Sequence, residues 1–218
     1  MEDSAMNIKK REIASHLHYF ITLSVATIML TSLISKFANG APYSNSSIEQ
    51  NLDQSLTKPD SQIVVNIKAP RHYVFDFLVN KTNEFVKNAS SLRIDHSASL
   101  TPGMLSEGSE RVIYFDSGEK LFERFIAINP PSNFSYYVDT ELSETKSALK
   151  YSVSNYRLEE ISDSETQVIV SVAYKADTKV PHFIVKRAIN SALRRDFNKA
   201  ATLIESQYAA SGMNMQNR

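Results

Sequence analysis

The stretch RVIYFDSGEKLFERFIAINPPSNFSYY, residues 111–137, decides the fold of this chain. Apolar and polar residues alternate on both sides of a turn that contains Asp, Ser and Gly, which is typical of an antiparallel β-hairpin. Opposing residues in such a hairpin keep a fixed sum of numbers. Pairing Phe115 with Leu121 therefore also pairs Ile113 with Glu123.

In this register Arg111 lies diagonal to Glu123 on a face that is otherwise apolar. Moving two charges out of water costs several kcal/mol, which their attraction does not always return. We therefore interpret the pair as the polar end of a pocket. The alternative is a solvent-facing ion pair, worth at most about 1 kcal/mol. A slip of one residue would place the two side chains on opposite faces.

The composition fits a single domain with appendages. The chain has 218 residues and no formal net charge, which argues against general disorder and gives no sign of a nucleic-acid partner. The absence of cysteine excludes disulfides, thiolate metal sites and a cysteine nucleophile. The five histidines show no zinc-site spacing and no glycine loop suits a phosphate, so we predict no metal and no cofactor.

The first 41 residues resemble an export segment rather than part of the fold. Basic residues 9–11 precede an uncharged run at 19–35, and the small residues Ala38 and Gly40 fit a cleavage site. The run is also long enough to serve as a single membrane anchor. Both interpretations predict an exported, extracytoplasmic domain, either secreted after cleavage near Gly40 or tethered by the helix.

Two polar segments flank the predicted domain. Residues 42–61 are rich in Ser, Asn, Gln and Asp without apolar periodicity, and we interpret them as a linker. The domain itself then covers residues 62–212. The last six residues, 213–218, are predicted to be a disordered tail.

The order of elements predicts an α+β fold. A strand at 62–68 is followed by two short helices near 70–78 and 83–89. Six further strands are predicted at 92–100, 111–116, 121–128, 134–140, 149–158 and 167–176. A broad apolar stripe over 181–208 predicts a helix about 40 Å long. A curved antiparallel sheet of about seven strands would wrap around this helix and leave a mostly apolar space between them.

Several short motifs resemble one protein family. They are Gly108-Ser109-Glu110-Arg111-Val112, Asp116-Ser117-Gly118, Phe122-Glu123-Arg124, Pro130-Pro131 and Ser135-Tyr136-Tyr137-Val138. Together with the order of elements, they resemble the polyketide cyclase/dehydrase branch of the START-like (SRPBCC) superfamily, which has the helix-grip fold. The resemblance covers about residues 62–212. It implies binding or transfer of lipids, sterols, polyketides or other apolar molecules, and in a minority of members catalysis.

The resemblance also implies which residues face the cavity. The spacing from Arg111 to Glu123 is similar to that of the plant hormone-receptor branch, which points to Arg111, Glu123, Tyr137 and Tyr151. The receptor latch motif is absent around residues 148–150, so hormone gating is not implied. The residues predicted to bind the ligand are Arg111, Ile113, Tyr114, Phe115, Glu123, Phe125, Tyr137, Tyr151, Val170, Ile189, Leu193 and Phe197.

Three functions remain open at this point. The first is binding, with or without transport, of a hydrophobic small molecule or lipid. The second is a small cyclase, dehydratase or hydrolase, for which Glu123 and Tyr137 are the candidate catalytic residues. A neighbouring Arg111 would hold Glu123 ionised, which favours binding over catalysis. The third is an interaction module whose own side chains fill the cavity.

A basic stripe follows one side of the last predicted helix. It consists of Lys186, Arg187, Arg194, Arg195 and Lys199. The simpler interpretation is a solvated helix face. The alternative is a surface that meets anionic lipid headgroups, so a membrane surface is a possible partner.

Overall fold

The computed structural model describes residues 46–139, 142–145, 149–176 and 180–216. The helices are α1 (Ser46–Thr57), α2 (Arg71–Asn80), α3 (Thr82–Phe85) and α4 (His182–Gln216). The strands are β1 (Ser61–Ile67), β2 (Ala89–Asp95), β3 (Glu110–Phe115), β4 (Lys120–Asn129), β5 (Asn133–Val138), β6 (Leu149–Ser162) and β7 (Glu165–Ala176).

The seven strands form one antiparallel sheet in the order β1-β7-β6-β5-β4-β3-β2. Its concave inner face is covered by the long helix α4 and by the two short helices. This arrangement confirms the predicted fold class. The α4 backbone lies close to β1, α2 and α3 and, among the described residues, is set back from the middle strands.

Local sequence explains the first elements. In β1, Ile63 and Ile67 are buried while Val64 is exposed, as expected of a strand with one covered face. Pro70 has an extended backbone and occupies the N-cap of α2, where its missing N–H leaves no hydrogen bond unmade. Five apolar residues of α2 face the core: Val74, Phe75, Phe77, Leu78 and Val79.

The β3–β4 hairpin differs from the predicted register by two residues. The observed pairs are Ile113 with Leu121 and Arg111 with Glu123. The turn is tighter than we assumed, because the Gly118 N–H donates to the Phe115 carbonyl with Gly118 at φ 84°. A shift of two residues keeps every side chain on its predicted face. Arg111 and Glu123 are therefore directly opposite, not diagonal.

The interpretation of residues 42–61 as a linker is wrong for most of that segment. Residues 46–57 form helix α1, which packs against β6 and β7, and Ser55 is fully buried. Covered outer-face residues such as Val153 and Ala173 place this helix on the convex side. The apolar side of the helix is short, because among the described side chains only Ile48 and Leu52 accompany Ser55 on the covered face and both are half-buried, so the sequence pattern did not reveal it.

The ends of several other elements also differ from prediction: the helix predicted at 83–89 is Thr82–Phe85, and the strand predicted at 149–158 continues to Ser162. The strand predicted at 92–100 runs from Ala89 to Asp95 and is followed by turns. Helix α4 continues to Gln216, so the prediction of a disordered tail is wrong for residues 213–216. No helix among the described residues is long and apolar enough to cross a membrane. The predicted leader, residues 1–41, lies outside the described residues.

Candidate functional site

Arg111 and Glu123 form an ion pair inside the domain. They face each other on β3 and β4, and their side chains are only 1% and 5% exposed. The Arg111 Nε and Nη2 atoms both lie 2.6 Å from Glu123 Oε2. The alternative of a solvent-facing ion pair is therefore wrong. A pair this deeply buried depends on its hydrogen bonds to offset the loss of hydration.

The Arg111 guanidinium also binds the end of α2 and two aromatic rings. Its Nη1 donates to the backbone carbonyls of Leu78, at 3.1 Å, and Val79, at 3.0 Å, near the end of α2. Its guanidinium carbon lies 5.4 and 5.0 Å from the ring centres of Phe125 and Tyr136. Burial is the largest single effect and lowers the pKa of Arg111, but the Glu123 carboxylate together with Tyr136 and Tyr156 outweighs it, so the pKa is raised. Arg111 thus holds α2 against the sheet as a fixed cation.

Only one of the two carboxylate oxygens of Glu123 has a hydrogen-bond partner among the described residues. Both of its contacts with Arg111 fall on Oε2, and Oε1 accepts no hydrogen bond within the described part of the chain. The Glu123 side chain is 5% exposed, and Oε1 is not among the fully buried polar atoms that lack a partner, so this oxygen keeps a small exposed area. Glu123 therefore offers one acceptor to a group that enters from the inner face.

Two tyrosine hydroxyls meet beside the ion pair. The Tyr136 and Tyr156 oxygens are 3.0 Å apart and both side chains are buried. Burial raises the pKa of Tyr136 well above its ordinary value, and the Glu123 carboxylate adds to the rise. Burial also raises the pKa of Tyr156 to about 12. Both hydroxyls therefore stay protonated at neutral pH and can donate or accept hydrogen bonds.

Three predicted cavity residues lie on the other side of the sheet. Tyr114, Tyr137 and Tyr151 are half-buried and alternate with residues of the inner face. This placement contradicts the prediction that they face the cavity. For Tyr137 the error is one position, since Tyr136 is the tyrosine that points inward. The buried neighbours Phe134 and Val138 carry the alternation that would have identified it.

The other predicted residues are buried. On the inner face of the sheet these are Ile113, Phe115, Phe125 and Val170, and on α4 they are Ile189, Leu193 and Phe197. On the basic side of α4, Lys186, Arg187, Arg194 and Lys199 are exposed, whereas Arg195 contacts Asp196 at 2.9 Å. The described residues contain no group of three His, Asp or Glu that could share a metal ion.

Aromatic rings fill the centre of the interior. Phe134 of β5 stacks on Tyr156 of β6 with ring centres 4.3 Å apart. Phe75 of α2 meets Phe134 edge-on at 5.5 Å, and Phe197 of α4 lies 5.7 Å from Tyr156. This aromatic cluster, Phe75, Phe134, Tyr156 and Phe197, joins helix, sheet and helix. The interior is thus bridged at its middle by the protein's own side chains.

Comparison with solved structures identifies this architecture. XoxI from Bacillus cereus superposes with a TM-score of 0.52 at 11% identity, over 66% of this chain and 94% of that chain. Ara h 8.0201 superposes with a TM-score of 0.52 at 14% identity, over 69% and 97%. The di-domain ARO/CYC protein StfQ of the steffimycin biosynthetic pathway gives 0.50 at 16%, over 67% and 45%. The chain has the helix-grip fold.

The helix-grip fold agrees with the START-like superfamily expected from the sequence motifs. No protein-family profile and no curated protein sequence matches the chain. At identities of 11–16% the superpositions show the fold alone. Function must therefore be argued from the residues of the site.

Proposed function

We propose that this helix-grip domain binds a hydrophobic small molecule, such as a lipid, between the inner face of the sheet and the amino-terminal half of α4. The observation that carries the proposal is Glu123, a buried carboxylate with one oxygen, Oε1, that lacks a hydrogen-bond donor among the described residues. A ligand hydroxyl or amine would supply that donor.

The surroundings of Glu123 suit a mostly apolar ligand. Val138 lies opposite Glu123 in the β4–β5 register, and Val185, Ile189 and Leu193 are buried on α4. Ligand pockets commonly combine such apolar walls with a few convergent polar groups. The set-back of α4 from the middle strands would leave room for this ligand between side chains.

The contacts of Arg111 refine the kind of ligand. All three guanidinium nitrogens already contact Glu123 or the α2 carbonyls. A ligand carboxylate would compete with these contacts, whereas a ligand hydroxyl can donate to Glu123 Oε1 without disturbing them. The proposed ligand therefore presents a hydrogen-bond donor to Glu123. The direct ion pair with Arg111 favours a role for Glu123 in orienting a ligand over proton transfer.

Native mass spectrometry of the purified full chain tests the proposal. We expect an adduct with the mass of a small apolar molecule, which extraction with organic solvent removes and identifies. Glu123→Gln should reduce the adduct because it removes the charged acceptor. Glu110→Gln is the matched control, since Glu110 forms its ion pair with Arg124 at 3.2 Å on the outer face of the same hairpin.

The outcome that would contradict binding is also defined. If the purified chain carries no adduct and binds none of a mixture of long-chain alcohols, fatty acids and sterols, the proposed binding function is wrong. In that case the continuous ring contacts of the aromatic cluster favour the interaction module over the binding protein. The domain would then be an interaction module with a filled interior.

A further inference from the structure

We propose that Ser61, Ser152 and Tyr174 form a second polar subsite on the inner face, which takes an uncharged hydroxyl or carbonyl group of the ligand. This inference rests on the proposed function, because it describes the other end of the same ligand. None of these residues was among the candidates selected from the sequence.

The register brings the three side chains together. Ser152 of β6 lies directly opposite Tyr174 of β7, and Ser61 of β1 lies opposite Val172, two residues away from Tyr174 on the same face. The three residues thus come from three adjacent strands. They are 3%, 2% and 4% exposed for Ser61, Ser152 and Tyr174.

All three hydroxyls are buried and none makes a hydrogen bond of ordinary geometry within the described residues, although the Ser61 and Tyr174 hydroxyls lie next to each other. Leaving a buried polar group unpaired costs about 1–3 kcal/mol. A single such hydroxyl would be unremarkable among buried polar atoms, but three on neighbouring strands point to a group that enters from outside the fold and supplies the partners. A ligand oxygen that reaches this face would do so.

The charges around the subsite define the ligand group. Burial raises the pKa of Tyr174, and the nearby Asp60 carboxylate adds to the rise, whereas the neighbouring Ser61 hydroxyl opposes it. The Tyr174 backbone N–H donates to Asp60 Oδ2 at 2.9 Å, which fixes that negative charge beside the subsite. Neutral hydroxyls next to a carboxylate suit an uncharged oxygen-bearing group and disfavour an anion.

The distance to Glu123 defines the length of the ligand. Val138 lies opposite Glu123, and extending the β5–β6 pairing of Tyr137 with Val153 by one residue places Ser152 beside Val138. Two strand spacings, about 10 Å, therefore separate Glu123 from the subsite. The ligand class is an elongated apolar molecule that carries a hydrogen-bond donor at one end and a second uncharged oxygen about that far away.

Displacement of a fluorescent apolar dye by 1-octanol, 1,8-octanediol and octanoic acid tests the subsite on the full chain. We expect the diol to bind roughly 10-fold more tightly than the mono-alcohol, because its second hydroxyl can form one or two additional hydrogen bonds in the subsite. The acid should bind less tightly than the diol. The triple variant Ser61→Ala, Ser152→Ala, Tyr174→Phe should lose the advantage of the diol and keep the affinity for octanol.

The outcomes separate the two proposals. If neither alcohol binds the native chain, the proposed function fails. If octanol binds and the diol has no advantage, or the triple variant retains that advantage, only the subsite is overturned. If the triple variant does not fold, the single variant Ser152→Ala provides the same comparison, with an advantage of the diol reduced by several fold.

Discussion

The two polar groups on the inner face of the sheet differ in how the fold uses them. Arg111 and Glu123 are joined to each other, and Arg111 also binds the end of α2. The hydroxyls of Ser61, Ser152 and Tyr174 make no hydrogen bond of ordinary geometry within the described residues. The first group holds the structure together and the second does not. Substitutions should therefore lower the unfolding free energy at one end of the inner face and leave it nearly unchanged at the other.

The largest effect is expected from Arg111→Met. This change leaves the buried Glu123 carboxylate without its counter-ion and two α2 carbonyls without a donor. Breaking a buried pair in this way costs about 3–5 kcal/mol of unfolding free energy. Denaturant titration of the native and variant chains measures the loss.

Arg124→Met is the matched control for Arg111→Met. Arg124 is on β4 next to Glu123 in sequence, but its contacts with Glu110 and Asp139, at 3.2 and 3.4 Å, are on the outer face and its side chain is 22% exposed. Partly exposed pairs contribute about 1 kcal/mol or less each. Equal losses for the two arginines would show that the inner pair does not hold α2 to the sheet.

An intermediate effect is expected from alkaline pH. Tyr156 lies beside the ion pair, where its hydroxyl meets that of Tyr136, and burial raises its pKa to about 12. The unfolded chain releases the same proton near pH 10. The unfolded state therefore binds fewer protons between pH 10 and 12, so stability is full below pH 10 and falls by up to about 3 kcal/mol as the pH rises to 12.

Tyr156→Phe checks this assignment. The variant lacks the ionisable group and should lose less stability between pH 10 and 12 than the native chain. It should be less stable at neutral pH by about 1 kcal/mol, since the Tyr136 hydroxyl loses its partner at 3.0 Å. Identical pH profiles for the two chains would mean that Tyr156 does not titrate in this range.

The same contrast explains how much the sequence could predict. The alternation of residues 111–137 correctly placed Arg111 and Glu123 on one inner face, because strand periodicity depends only on local order. It did not predict the register, which depends on the backbone of the turn at Gly118. The choice of Tyr137 over Tyr136 came from the family resemblance, and it was wrong because two adjacent tyrosines on a strand point to opposite faces.

The remaining features depend on contacts between distant segments. Ser61, Ser152 and Tyr174 are common residue types at unrelated sequence positions, and only the strand order β1-β7-β6 makes them neighbours. Helix α1 was missed for a related reason. Its burial is visible only once β6 and β7 provide the surface that covers Ser55.

The smallest effect on stability is expected from Ser152→Ala. The change removes a buried hydroxyl that has no partner among the described residues, so it should leave the unfolding free energy unchanged or raise it by about 1 kcal/mol. Ser135→Ala is the matched control, because the Ser135 hydroxyl accepts a hydrogen bond from Asn155 at 2.7 Å on the outer face. That variant should lose about 1 kcal/mol. A loss for Ser152→Ala equal to that of the control would show that its hydroxyl is bonded within the fold, and the two ends of the inner face would then be alike.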